Sequence, residues 1–265
     1  MAQSVFIPIA NNQRLSAVLQ KGLTASGGEV EAEEMKMATA RALVVMLHGF
    51  PGHKHTQNDI FGDLEFQIAQ DDFHTLRFDF RGCGESEGKA EEFTFQSAGE
   101  DVGSIISWAR SFGYQKFFFI GEGLGATLAL LNLNPDVRGA VLLWPALDPR
   151  LTGMREALAA AASPEAQTQG YVVWRGAKIG LPFLKEIKSF NPTRKLRNLK
   201  IPLLIQQGSA DEEVSPAQME LLRRHARSLR RIEMTTYEGG GHGLHRLNER
   251  QTMFYHVRQF LKRYG

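Results

Sequence analysis

From residue 43 onward, short apolar runs alternate with longer amphipathic segments, and this alternation limits the fold more than any other feature of the chain. The runs cover residues 43–47, 75–80, 117–120, 140–144, 203–206 and 232–237; the amphipathic stretches cover 57–71, 96–112, 124–133, 216–228 and 249–263. A strand covered on both faces reads as a continuous apolar run, and strands joined through helices lie parallel. The pattern predicts an α/β chain with a mostly parallel central sheet flanked by helices, residues 1–265 forming one domain. Upstream, apolar residues 5–9 and 15–19 flank Asn11-Asn12, which predicts an opening β-hairpin. Residues 22–40, rich in Gly, Ala, Ser, Thr and Glu, read as an exposed or mobile connection. The interval 146–200 is too long for one crossover helix, and its small, aromatic and basic residues predict an inserted helical cap over the sheet edge. Tyr171, Trp174, Phe183, Leu184 and Phe190 in that interval suit either an apolar pocket wall or the packing of the cap itself.

Charge and cysteine content narrow the function classes. The 31 basic and 29 acidic residues nearly cancel. The cluster Arg223, Arg224, Arg227, Arg230 and Arg231 reads as a solvated helix face, so no nucleic-acid partner is expected. Cys83 is the single cysteine, which excludes an internal disulfide and a thiolate zinc site and points to a reducing, cytoplasmic compartment. Met1-Ala2-Gln3-Ser4-Val5 has neither the basic leader nor the apolar run of a signal peptide, and no stretch reaches the ~18 apolar residues of a membrane span. No membrane partner and no cofactor are expected, and nothing in the sequence sets an oligomeric state.

Three segments each end an expected strand and begin a turn, the place where an open α/β sheet gathers its ligand site. Phe117-Phe118-Phe119-Ile120-Gly121-Glu122-Gly123-Leu124-Gly125 runs from strand through a glycine-rich turn into an apolar helix. It has the frame of a G-x-S-x-G nucleophile elbow with glycine at the centre. A dinucleotide-binding reading fails, because the third glycine of G-x-G-x-x-G falls on Ala126 and no acidic ribose ligand follows at ~20 residues. The second segment places Asp211 just past the run 203–206, where a carboxylate can orient an imidazole. The third, Gly239-Gly240-Gly241-His242-Gly243, follows the last strand and lets the loop carry an imidazole over the sheet edge. The order of elbow, Asp and His gives His242 the general-base position and Asp211 the role of its orienter.

With Leu47-His48-Gly49-Phe50-Pro51-Gly52 and Asp79-Phe80-Arg81-Gly82-Cys83-Gly84-Glu85-Ser86 added, the sequence resembles the α/β-hydrolase superfamily from about residue 5 to 263. It is most similar in look to small carboxylesterases of the cinnamoyl/feruloyl esterase kind. The resemblance implies an oxyanion hole from the backbone N–H groups of Phe50 and Leu124, and a small-molecule ester or acyl ligand. Gly84-Glu85-Ser86-Glu87-Gly88 also matches G-x-S-x-G, but a polar loop follows it, whereas an elbow leads into an apolar helix. Cys83 reads as a small residue in a tight turn. His53, His55 and Asp59 have no diagnostic metal-ligand spacing, so no metal is expected.

Glycine at position 123 offers no atom to attack a carbonyl, so the acyl-enzyme route is closed there. Loss of the serine from a triad lowers turnover about 10⁶-fold, while the oxyanion hole and binding can leave about 10³-fold over water. Glycine also accepts the positive φ of an elbow without strain. Three readings stay open: a binding or regulatory pseudo-hydrolase, an esterase inactivated at one residue, and an enzyme in which His242 activates a water. Against them stands a folded remnant without a ligand. The sequence favours ligand binding with little or no conventional serine hydrolysis.

Overall fold

The computed structural model describes residues 2–22, 42–189, 192, 196, 199–226 and 231–265. The expected connection at 22–40 lies, beyond residue 22, outside the described residues, as do Phe190, Arg227 and Arg230.

The chain opens with an antiparallel hairpin, β1 (Ala2–Pro8) and β2 (Arg14–Gln20), turning through Asn11 and Asn12, both in the left-handed region. The expected runs then become β3 (Leu43–Leu47), β4 (His74–Phe78), β5 (Phe117–Glu122), β6 (Val137–Leu143), β9 (Leu203–Gly208) and β10 (Ile232–Tyr237). Together they form one eight-stranded sheet in the order β1-β2-β4-β3-β5-β6-β9-β10. Only β1–β2 and β2–β4 pair antiparallel; every other pair is parallel.

Alternation along the strands explains the unbroken apolar runs. Leu43, Val45 and Leu47 of β3 point into one core, which also receives α2 (Phe95–Ser111), α3 (Leu124–Leu131) and α7 (Ala217–Ala226). Val44 and Met46 point into the other, beneath α1 (Ile60–Ala69) and α8 (Leu247–Tyr264). Phe117 and Phe119 of β5 divide from Phe118 and Ile120 in the same way. Both faces are therefore covered, as a parallel sheet requires.

The expected helices of the insertion between β6 and β9 are present as α4 (Met154–Ala160), α5 (Pro164–Gln169) and α6 (Leu181–Ser189). Between α5 and α6 the insertion also carries an antiparallel hairpin, β7 (Tyr171–Trp174) and β8 (Ala177–Gly180). Its two-residue turn, Arg175-Gly176, has φ of 49° and 79°, the left-handed pair that matches strand twist. Among the described residues, no helix is long and apolar enough to cross a membrane.

The chain runs from β3 to β4 on one side and returns to β5 on the other side of β3. Such a switch point opens a crevice at the carboxyl ends of the strands, where the turns after β3, β5, β6, β9 and β10 converge.

Candidate active site

The turn after β5 is fixed by close backbone contacts. A Cβ on Gly121 would lie 2.3 Å from the Gly125 carbonyl oxygen, and one on Gly125 would lie 2.0 Å from that of Leu47, so only glycine fits at either position. Gly123 differs. Its backbone adopts φ 56° and ψ −118°, yet apart from its two chain neighbours a Cβ there would meet nothing nearer than the Gly49 Cα at 4.0 Å. The turn is tied to β6 by Gly123 N–H donating to the Leu143 carbonyl (2.9 Å) and Ala146 N–H donating to that of Gly123 (3.0 Å). The space beside Gly123 can thus hold a side chain that this chain does not carry.

Asp211 is buried in the loop after β9. Its Oδ1 accepts from the backbone N–H groups of Glu213 (2.9 Å) and Val214 (2.8 Å), and its Oδ2 accepts from Gln207 Nε2 (3.0 Å). The same Oδ2 lies 2.9 Å from His242 Nδ1. The glycine loop carrying His242 is locked to β9, with Ala210 N–H donating to the Gly240 carbonyl at 2.9 Å. The backbone passes so close that a Cβ on Gly208 would sit 2.1 Å from the Gly240 oxygen. The turn after β5, Asp211 and His242, read separately from sequence, stand together here.

A fourth group completes the arrangement, and sequence reasoning missed it. Glu122, the last residue of β5, turns its carboxylate toward His242, with Oε1 3.3 Å from Nε2. Its Oε2 accepts from Gly49 N–H at 3.4 Å. His242 is therefore held between two carboxylates. Burial of the ring works to lower its pKa, but the hydrogen bonds and charges of Asp211 and Glu122 outweigh burial and raise it to about 10. At neutral pH the ring is an imidazolium with a proton on each nitrogen.

Phe50 and Leu124 line the same cavity, of about 130 Å³, as Glu122, Gly123 and His242. Their backbone N–H groups have no acceptor among the described residues. Leu124 opens α3, so its N–H lies at the positive end of that helix. The Phe50 ring is fixed by stacking on Phe93 at 3.8 Å, with Phe183 edge-on at 5.3 Å.

The insertion supplies the opposite wall through Thr152, Met154, Trp174 and Ile187. Of the cap residues named above, Trp174 faces the cavity, Phe183 and Leu184 pack in the core, and Tyr171 lies under the Lys178 ammonium at 4.6 Å. Arg175, at the hairpin tip, pairs with Glu213 at 2.9 Å, and this ion pair lines both the first cavity and a neighbouring one of about 430 Å³. Glu122 and His242 border both cavities.

The remaining candidates lie in other environments. Ser86 Oγ donates to the Asp79 carbonyl (2.6 Å) and accepts from Ser16 N–H (2.8 Å), so the hydroxyl staples two turns. Cys83 is buried, and burial, reinforced by the charges of Asp79 and Asp101, pushes its thiol up to about 12. His55 lies 3.1 Å from Asp59 but also faces the Arg77 guanidinium at 3.1 Å, a poor setting for a cation.

A family model described as alpha/beta hydrolase fold matches residues 42–190. Over 67 residues the chain is 33% identical to an uncharacterized 31.7 kDa protein in the traX-finO intergenic region of Escherichia coli; the match covers 25% of this chain and 22% of that relative. Among solved structures, the chain resembles Est1E from Butyrivibrio proteoclasticus with ferulic acid bound (TM-score 0.79, 19% identity, 98% of each chain covered). It also resembles the Pyrococcus furiosus esterase Pf2001 (TM-score 0.71, 19% identity, 100% of this chain and 91% of that one). A third likeness is to alpha/beta hydrolase domain-containing protein 10 from mouse (TM-score 0.73, 16% identity, 99% and 100%).

Proposed function

Because the chain belongs to the alpha/beta hydrolase family, we propose that it is an esterase-type member that holds an ester or acyl compound in the crevice and does not form an acyl-enzyme. The observation that carries this reading is Gly123: the turn keeps the backbone of a nucleophile elbow and the space for a side chain, without the attacking atom. In this reading the N–H groups of Phe50 and Leu124 receive the ligand's carbonyl oxygen, Asp211 orients His242, and residues 146–200 act as a cap within the single domain. The ferulic acid in Est1E supports an aromatic acyl compound as a first ligand to try.

The reading in which His242 takes a proton from water is weakened by its surroundings. Both ring nitrogens face carboxylates, and a ring already protonated at neutral pH cannot accept another proton.

Gly123→Ser tests the proposal. The serine is expected to fit; its attack needs a neutral His242, so labelling by a serine-directed phosphonate and cleavage of a short activated ester should climb with pH toward about 10 and there exceed the parent by several orders of magnitude, given the ~10⁶-fold effect of a nucleophile in a triad. The parent chain should stay unlabelled while its melting temperature rises with a feruloyl ester. Stoichiometric labelling of the parent would overturn the reading.

A further inference from the structure

We propose that Glu122 is a catalytic base of this site, taking a proton from a water beside Gly123 as that water attacks the ligand's carbonyl carbon. The inference rests on the ester-binding reading above and goes beyond it by assigning a reaction that needs no serine.

Three features place Glu122 in this role. Glu122, the last residue of β5, lines the same cavity of about 130 Å³ as Gly123 and His242, and beyond its chain neighbours a Cβ on Gly123 would meet nothing nearer than the Gly49 Cα at 4.0 Å, so the cavity has room for a water beside the carboxylate. Each carboxylate oxygen has one contact assigned, Oε1 to His242 and Oε2 to the Gly49 N–H, and each keeps a further lone pair for a water proton. The Glu122 side chain is 14% exposed, which limits the bulk water that would otherwise weaken it as a partner.

The step balances with these groups alone. The water oxygen bonds to the carbonyl carbon as its proton passes to Glu122, and the oxyanion that forms is met by the N–H groups of Phe50 and Leu124. The ester C–O bond breaks, and the leaving oxygen takes the Nε2 proton of His242. Glu122 then returns its proton to Nε2 across their 3.3 Å contact, and an acid and an alcohol leave. Asp211, at 2.9 Å from Nδ1, holds the ring throughout. The usual division is thus inverted, with imidazolium as acid and carboxylate as base.

The test uses 4-nitrophenyl acetate with the full chain. The parent should show slow steady-state turnover above buffer, without a burst and without phosphonate labelling. Glu122→Gln, which keeps the size of the side chain and one of its two accepted hydrogen bonds but not the base, should lower kcat at least 100-fold with KM little changed, consistent with the ~10²–10⁴-fold worth of a positioned base. Glu122→Asp should retain part of the rate, and native circular-dichroism spectra of both variants at the assay temperature would exclude unfolding as the cause. A Glu122→Gln protein as fast as the parent, or faster because the carboxylate merely blocked the site, would overturn the proposal. So would a parent that is stabilised by the ester yet never turns it over, an outcome that leaves the binding reading intact. If the ester neither binds nor reacts, that reading fails as well.

Discussion

At Gly123 and Gly125, two glycines one residue apart, the same added methyl group meets opposite surroundings. On Gly125 it would stand 2.0 Å from the Leu47 oxygen, forcing α3 away from β3. On Gly123 it would meet open space, and the penalty is confined to a backbone at φ 56°. Overpacking of this kind destabilises by about 1–3 kcal/mol and sometimes more, while a side chain in a sparsely populated backbone region costs about 1–3 kcal/mol. Gly123→Ala should therefore fold, with a loss of about 1–2 kcal/mol in urea unfolding. Gly125→Ala should lose about 3 kcal/mol or more, or fail to fold. Equal losses would mean that the turn relaxes around either residue. Asp211 and His242 were legible in the sequence because each directly follows a strand end in a small-residue loop. Glu122 was not, although it sits in the same motif. Sequence spacing gives its place before the central residue, but the direction of its carboxylate depends on the His242 loop, 120 residues away.

Among elements, α7 and the segment leaving β6 are joined through one buried side chain. Gln218 Nε2 donates to the Asp148 carbonyl at 2.8 Å, and its Oε1 accepts from Asp148 N–H at 2.9 Å. Next to this clamp, Thr152 forms a β-bridge with Val214, and Gly153 N–H donates to the Glu213 carbonyl at 3.2 Å, so the entry to the insertion is registered against the Asp211 loop. Gln218→Ala would leave the part-buried Asp148 N–H unpaired, at about 1–3 kcal/mol, while the Asp148 carbonyl keeps the Leu151 N–H as donor. A loss of about 1–3 kcal/mol in denaturant unfolding is expected, with ester binding weakened as Thr152 and Met154 lose register. Arg175→Ala is the contrast: its ion pair with Glu213 is half exposed on both sides, so its removal should change stability by less than about 1 kcal/mol. The central strands could be read in advance because burial on both faces makes each an apolar run. The β7–β8 hairpin could not. Each strand has four residues with no two-residue burial period in β7, and the Arg175-Gly176 turn lacks the Asn-Gly or Asp-Gly pair that marks such a turn most clearly.

For the molecule as a whole, the charge arrangement at the sheet's carboxyl end sets a pH dependence of stability. The His242 pKa lies at about 10 in the folded chain against an ordinary value of 6.5. A group raised in this way stabilises fully below 6.5, and that contribution is lost as pH climbs toward about 10. The groups facing the ring are Asp211 and Glu122, with Glu213 and Arg175 bordering the same cavity as a neutral pair. On the acid side the signs reverse. Asp79 is held below its ordinary value, because the N–H groups of Glu85 and Lys54 and the Lys54 ammonium overcome its burial, so its stabilisation disappears as it takes up a proton. His48 and His74, pushed down mainly by burial, also oppose folding once pH drops below 6.5. Cys83, raised to about 12 from 9.0 by burial, adds to the alkaline loss. A single melting profile therefore mixes several groups, whereas a difference between two chains isolates one. Glu122→Gln removes a charge that acts chiefly on His242 and only weakly on the buried His48, so the parent should out-melt the variant most near pH 6.5–7, with the gap closing toward pH 10–11. The imidazole resonances of the variant should titrate at lower pH than those of the parent. A gap that stays constant across this range would mean that Glu122 does not hold the His242 proton, and the inverted acid–base pair would lose its acid.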